Sequence, residues 1–363
     1  MTRSISEIIQ NRRHFFREQI GAELYDRLSS HDNQHSNSSS CARDYCFLLN
    51  QYYPYAVMSR KNHPSTWTAH KKIYHYTTLS GLDGMIRNHC IWLNDTRYMN
   101  DSTEVQYSMD LLKSVFENIQ KKYGREISKN TIRDSSELSF PKLICDILKK
   151  LDDSISKRSH CFIACFSHND DDLSMWRSYG RISGFSIEFD AKPNSGLMLL
   201  PDYTLSDVVY NKASQEEIII GIIEGFIKIL TEDFQESELS RHLHTMAFEL
   251  SYTISPLLSH FPYRFKHSSF SCENEIRLWH SRNFGEHKAN HPLKFRKGNN
   301  LLIPYIEHFL PTDNASSKKK ILPITKVTIG PTEHPELTKT SIKEFLDASG
   351  YERVEVVNSN IPY

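Results

Sequence analysis

The chain has seven cysteines but no C-x-x-C pair, so the usual spacing of a structural zinc site is missing. An odd cysteine count gives no disulfide framework, and buried thiols are expected. The group His160, Cys161, Cys165 and His168 reads as one strand, which would send ligand side chains to both faces, so no metal site is expected. An excess of one charge is also missing. Lys+Arg and Asp+Glu each total 44 in 363 residues, so no global field draws the chain to nucleic acid or to an anionic membrane. The most apolar stretch, EEIIIGIIEGFIKIL (216–230), is too short and too charged to span a bilayer. Its Ile219, Ile222, Ile223, Phe226 and Leu230 recur at helical spacing, which predicts an amphipathic core helix. The start, MTRSISEIIQNRRHFF, lacks the apolar core and cleavage site of a signal peptide, and a cytoplasmic protein without membrane partners is expected. No G-x-G-x-x-G, P-loop or internal repeat occurs, which removes the main support for Rossmann and kinase-like folds.

What is present is a mixed pattern. Residues 1–66 read as a helical extension with a polar linker, SSHDNQHSNSSSC (29–41), and a second helical stretch within 42–57. The main domain is expected over 67–363. It opens with a strand ending in IYHYT, a helix from about Ser80 to Asn88, a strand IWLND, and a helix through 105–121. After Lys157 the chain turns β-rich, with HCFIACFS as a buried strand and SGFSIEFD alternating Phe185, Ile187 and Phe189 against Ser186 and Glu188. DVVY is a further strand candidate. A helical insertion covers about 214–260, and ITKVTIGP, a helix at 335–348 and RVEVV close the chain. Strands and helices mix without regular βαβ alternation, so the fold class is α+β.

Three segments hold unusual combinations: YHYT (74–77), CFSHNDDDLSMWRSYG (165–180) and CENEIRLW (272–279). Brought to one cleft, they supply a histidine, flat aromatics and a carboxylate pair, the parts needed to hold NAD and strain its glycosidic bond. Breaking the nicotinamide–ribose bond builds oxocarbenium-like charge, which a carboxylate at the ribose stabilises more than the ground state. Glu275 fits that role. A tyrosine or tryptophan face gives nicotinamide a desolvated slot, and Tyr76, Trp176 and Tyr179 are available. His75 is placed to hydrogen-bond the other end of the cofactor. Plainer explanations stand beside these: His75 as a core histidine, and Glu275 and Arg277 as the polar face of a strand that turns Ile276 and Leu278 inward. Asp101 and Glu104 fit a helix cap or, with Asn100, a loop covering NAD, and Asp170, Asp171 and Asp172 fit another cap or a cation site. Lys318–Lys320 reads as a solvated loop.

The runs YHYT…GMIRNHCIWLNDTRYMNDSTE, CFSHNDDDLSMWRSYGRISGFSIEFD, KHSSFSCENEIRL and VTIGP together resemble the bacterial family called domain of unknown function 2971, over about residues 72–357. That family in turn resembles the ADP-ribosyltransferase superfamily of the histidine–tyrosine–glutamate type. The resemblance implies a split β-sandwich binding NAD between two small sheets, with His75, Tyr76 and Thr77 on its first strand. It also implies Tyr179, or Trp176 in its place, against nicotinamide, and Glu275 as catalytic glutamate. Glu273 would be the earlier carboxylate of a glutamate-x-glutamate pair that orients or deprotonates the acceptor. The implied activity is transfer of ADP-ribose from NAD to RNA, DNA or protein, in a toxin or antiphage effector held in check by an antitoxin or inhibitor. A basic stripe of Arg264, Lys266, Arg296 and Lys297 would suit single-stranded RNA. A noncatalytic nucleotide-binding or partner-binding module and an NAD glycohydrolase are the alternatives.

Overall fold

The structure, a computed structural model, describes residues 5–20, 72–99, 103–130, 144–150, 160–180, 184–191, 204–233, 258, 263–282, 291–298, 300–309 and 321–362. The polar stretch 29–41, the helix expected within 42–57, the cap at Asp101 and the Lys318–Lys320 run lie outside these residues. The chain divides into two compact units: 1–66 with 106–158 and 211–262, and 67–105 with 159–210 and 263–363.

The described part of the first unit is helical. Helix α1 (Ile5–Ile20) buries Arg12, whose Nε donates to Asp233 at 2.7 Å and whose Nη2 donates to Glu232 at 3.0 Å. Both acceptors end the helix Lys212–Asp233, in which Ile219, Ile222, Ile223, Phe226 and Leu230 are all buried, as their spacing predicts.

Among the described residues the second unit is built on ten strands: β1 (Lys72–Thr77), β2 (Cys90–Asp95), β3 (His160–Ser167), β4 (Phe185–Asp190), β5 (Thr204–Asp207), β6 (Glu275–Arg282), β7 (Lys294–Lys297), β8 (Leu302–Phe309), β9 (Ile324–Ile329) and β10 (Glu355–Asn358). They form one mixed sheet in the order β10-β9-β4-β1-β3-β2-β8-β7, with β6 also paired to β3, and β5 to β6. Only β9 and β10 pair in parallel, joined through helix Pro335–Ala348, while the remaining ladders are antiparallel. The fold is α+β.

The apolar side chains of alternate strand positions gather on one face. Ile73, Leu93, Phe162, Phe166, Ile187, Phe189, Ile276 and Leu278 form its core. Two helices cover them. Helix Leu79–Asn88 is capped by the Thr78 side chain, turns Leu82, Met85 and Ile86 into the core, and ends at His89 with φ 51°. Helix Pro335–Ala348 starts on a proline and contributes Ile342 and Leu346. Ile276 and Leu278 point inward, as the alternation predicts. Strand β4 departs from its pattern, because Ser186 and Glu188 are buried as well. A buried carboxylate requires partners, and Glu188 has Lys72 at 2.7 Å, Lys326 at 3.4 Å and the Thr325 hydroxyl at 2.6 Å. The DVVY strand is displaced: β5 stops at Asp207, and Val209 makes an isolated bridge to Phe265.

Strand β3 is where the sheet divides. Along one edge it pairs with β6 at every position. On the other it meets β2 only at Phe162 and Ile163, and β1 only at Ser167, opposite Tyr74. Strands β1 and β2 therefore diverge along a single edge of β3.

Candidate functional site

The site lies where β1 and β2 part. His75 of β1 closes part of the gap: its Nδ1 is 2.8 Å from the carbonyl oxygen of Cys165. A carbonyl only accepts, so Nδ1 carries the proton. Burial lowers the pKa of His75 below the ordinary histidine value, which leaves the ring neutral and Nε2 an acceptor.

Cross-strand partners share a face. Ser167 stands opposite Glu275, Cys165 opposite Arg277, Ile163 opposite both Trp279 and Asn94, and Asn94 opposite Tyr305. These residues thus occupy the sheet face away from the helix-covered core. Here a cleft of about 160 Å³ is bordered by Tyr74, His75 and Tyr76 of β1, Trp92 and Asn94 of β2, Tyr98, Met99, Cys165, Met175, Tyr179, Glu273, Glu275 and Arg296.

Glu275 is 5% exposed and bound on two sides. Arg277 Nε and Nη2 donate to its two oxygens at 2.8 and 2.9 Å, and Lys266 Nζ donates at 3.1 Å. Burial pushes its pKa up, but the Arg277 guanidinium and Lys266 ammonium outweigh this and hold it at about 2. Glu104 ion-pairs with Arg277 and lies 3.8 Å from Lys266; burial raises its own pKa despite both cations. Glu273, at the end of a 3₁₀ turn (Ser268–Glu273), accepts from Lys266 at 2.5 Å and from the Tyr179 hydroxyl at 3.0 Å. Burial, and then Glu273 beside it, pushes the Tyr179 pKa well above the ordinary tyrosine value, so the phenol stays protonated. The Cys165 thiol is likewise raised well above its ordinary value, first by burial and then by Glu275. A thiol held in its protonated form is a poor nucleophile.

The aromatics divide by role. Tyr179 lines the cleft, on a π-helical turn Trp176–Gly180, a deviation frequent at functional sites. Tyr76 lines it too, but its hydroxyl serves structure: it donates to the carbonyls of Asn169 and Asp170 and accepts from the Asp172 amide. Trp176 is 3% exposed, meets the Tyr76 ring edge-on, donates from Nε1 to Asp171, and does not border the cleft. Thr77 does not border it either: a Cβ on Gly81 would fall 2.0 Å from the Thr77 hydroxyl, which places that hydroxyl against the capped helix. The three aspartates hold the intervening loop. Asp172 caps the turn through the amides of Ser174 and Met175, Asp171 binds Trp176, Ser359 and Asn360, and Asp170 pairs with Lys326.

Sequence reasoning named Lys266 only as part of a basic stripe and Glu104 only in a cap or a loop over NAD, and it missed Arg277 as a site residue; none of the three was expected to form an ion network around Glu275. Arg277 had a signal, since it lies two positions after Glu275 in an alternating strand. For Glu104 the spacing from Asp101 pointed first to a capping box, with a loop over NAD as the alternative. The basic stripe does not form as expected: Arg264 and Lys266 are buried, and Arg296 faces the cleft.

A second cleft of about 440 Å³ is bordered by Lys72, His168, Asp207 and Asn274, and shares Tyr74 and Glu275 with the first. His168 Nε2 is 2.7 Å from Asp207 Oδ1. Among the described residues, no cluster of His, Cys, Asp and Glu is arranged to hold a metal ion, and no helix is long and apolar enough to cross a membrane.

Residues 175–278 match the model of a family described as Protein of unknown function (DUF2971). The matched stretch holds Tyr179, Lys266, Glu273, Glu275 and Arg277; His75, Glu104 and Arg296 lie outside it. No curated protein and no solved structure matches.

Proposed function

We propose that the chain is an ADP-ribosyltransferase that uses NAD as donor and modifies a macromolecule. The observation carrying this proposal is the convergence of His75, Tyr179, Glu273 and Glu275, from segments up to about two hundred residues apart, on one cleft at the divergence of β1 and β2. The parting of β1 and β2 along one edge of β3 opens the cleft that this reading needs, within one mixed sheet rather than between two small ones. The cleft volume of about 160 Å³ is small beside typical ligand sites of ~300–1,000 Å³. It suits the nicotinamide riboside end, with the rest of the dinucleotide running outward.

In the proposed reaction nicotinamide packs on Tyr179. The C1′–N bond breaks, its electron pair leaves with neutral nicotinamide, and the ionised Glu275 stabilises the positive charge on the ribose. An acceptor heteroatom bonds to C1′ and gives its proton to Glu273 or solvent. The second cleft, which shares Tyr74 and Glu275, is a natural approach for that acceptor. A toxin or defence role with an inhibitory partner follows from the family resemblance alone.

One observation favours a noncatalytic nucleotide-binding module instead: Arg277 and Lys266 already take three of the roughly four acceptor positions of Glu275, which leaves little capacity for a ribose hydroxyl. Incubation of purified protein, beside Glu273→Gln and Glu275→Gln variants shown to be folded, with labelled NAD and separate pools of RNA, DNA and protein decides between them. Glutamate-dependent label on one pool is the expected result. Nicotinamide release without label points to a glycohydrolase, and binding without turnover to the module.

A further inference from the structure

The charge along the cleft is uneven. At one end three carboxylates, Glu104, Glu273 and Glu275, surround two cations, Lys266 and Arg277. At the other stands Arg296 of β7. Its Nε donates to Asn94 Oδ1 at 2.8 Å, and among the described residues it has no carboxylate partner. The carboxylate of Glu307, four residues along β8 from the position opposite Arg296, is held by Lys294 at 2.6 Å. A half-buried guanidinium whose Nη groups face no acid is suited to an anion that accepts in a fork. Trp92 also borders the cleft and stacks on Tyr305 with ring centroids 4.6 Å apart; its indole N–H is buried without a hydrogen-bond partner. A buried donor left unmatched is a standing cost that a bound acceptor relieves.

The two ends are well separated. Asn94 pairs with Ile163 and Ile163 with Trp279, four residues along β6 from Glu275. Two strand spacings of ~4.8 Å and four rises of ~3.4 Å put the Asn94 and Glu275 backbones about 17 Å apart. No single small group touches both. A ligand that does is extended, positive or sugar-like at Glu275 and anionic at Arg296.

We propose that Arg296, assisted by the Trp92 N–H, is the phosphate subsite of the cleft and holds the diphosphate of a nucleotide ligand. The assignment of that ligand as NAD rests on the proposed function; the anion subsite does not. Isothermal titration of the whole chain, as wild type, Arg296→Gln, Arg296→Lys and Trp92→Phe, with inorganic pyrophosphate, ADP-ribose and nicotinamide riboside tests it. Loss of a forked guanidinium–phosphate contact should weaken ADP-ribose and pyrophosphate by about tenfold or more in Arg296→Gln, with a smaller loss in Arg296→Lys. Nicotinamide riboside, which lacks the diphosphate, should bind unchanged. ADP-ribose binding that ignores Arg296 overturns the subsite while leaving the transferase intact, and so does equal loss of all three ligands. Failure of the wild type to bind either phosphate ligand overturns the subsite as well. Arg296-dependent pyrophosphate binding without ADP-ribose binding keeps the subsite and removes NAD as its ligand.

Discussion

Arg277 grips Glu275 from two residues along the same strand, with Nε 2.8 Å from one carboxylate oxygen and Nη2 2.9 Å from the other. The pair is buried, and its worth depends on neither member being left alone. Glu275→Gln keeps the shape but deprives two buried cations of their shared charge, and should cost about 3 kcal/mol in urea unfolding. Glu273→Gln, at a more exposed position where Lys266 retains two other carboxylates, should cost about 1 kcal/mol or less. Equal losses would mean that Glu273 anchors the network as firmly as Glu275.

Stability should fall in mild acid, and His308 gives the window. Burial, and then His291 and His280, lower its pKa to about 4 from an ordinary 6.5. Between these values the unfolded chain binds the extra proton and the folded chain does not, so stability is full above about 6.5 and drains as pH falls toward 4. Roughly 2.5 units correspond to about 3 kcal/mol. His308→Gln should flatten the pH dependence of the melting temperature in that interval; an unchanged slope would assign it to other groups. Glu275 acts lower: with its pKa near 2, its contribution survives until pH falls below the ordinary carboxylate range.

Gly330 should not tolerate a methyl group. A Cβ there would lie 2.9 Å from the Trp176 ring and 3.1 Å from the Gly184 carbonyl oxygen, so Gly330→Ala should cost about 1–3 kcal/mol by overpacking. Near-UV circular dichroism should register the displaced indole. An undisturbed tryptophan signal with unchanged stability would contradict this packing.

The helices and strands were largely legible because their cores follow simple periods: Leu82, Met85 and Ile86 at helical spacing, Ile276 and Leu278 at strand spacing. Helix 335–348 was legible in full from its proline start and apolar stripe. Strand β4 misled because alternation reports polarity, not exposure, and Glu188 is polar yet buried by ion pairing with residues far along the chain. Glu104 was incompletely legible for a related reason: a local motif accounts for it, and only a contact across some 170 positions, to Arg277, shows its place in the ion network. Trp176 and Tyr179 were inseparable by sequence. A three-residue offset on a short π-helical turn sends one into the protein and the other to the cleft wall.

His75→Ala should reveal what the histidine does without ligand. It removes the group facing the Cys165 carbonyl, and an unmatched buried acceptor costs about 1–3 kcal/mol unless water enters. His75→Gln, able to donate to the same carbonyl, should recover part of that loss. If both variants match wild type in thermal melting, the histidine is held for ligand alone.

The lone Tyr74–Ser167 pairing gives the sheet a seam. Parting the seam there breaks one rung and the His75–Cys165 hydrogen bond, whereas the neighbouring β3–β6 ladder has eight rungs that must hold together. Widening the cleft for a bulky guest is therefore a local event, cheap beside unfolding. The amides of β1 next to Ser167 should exchange with solvent well before those at the centre of β3, and a ligand bound across the seam should slow them first.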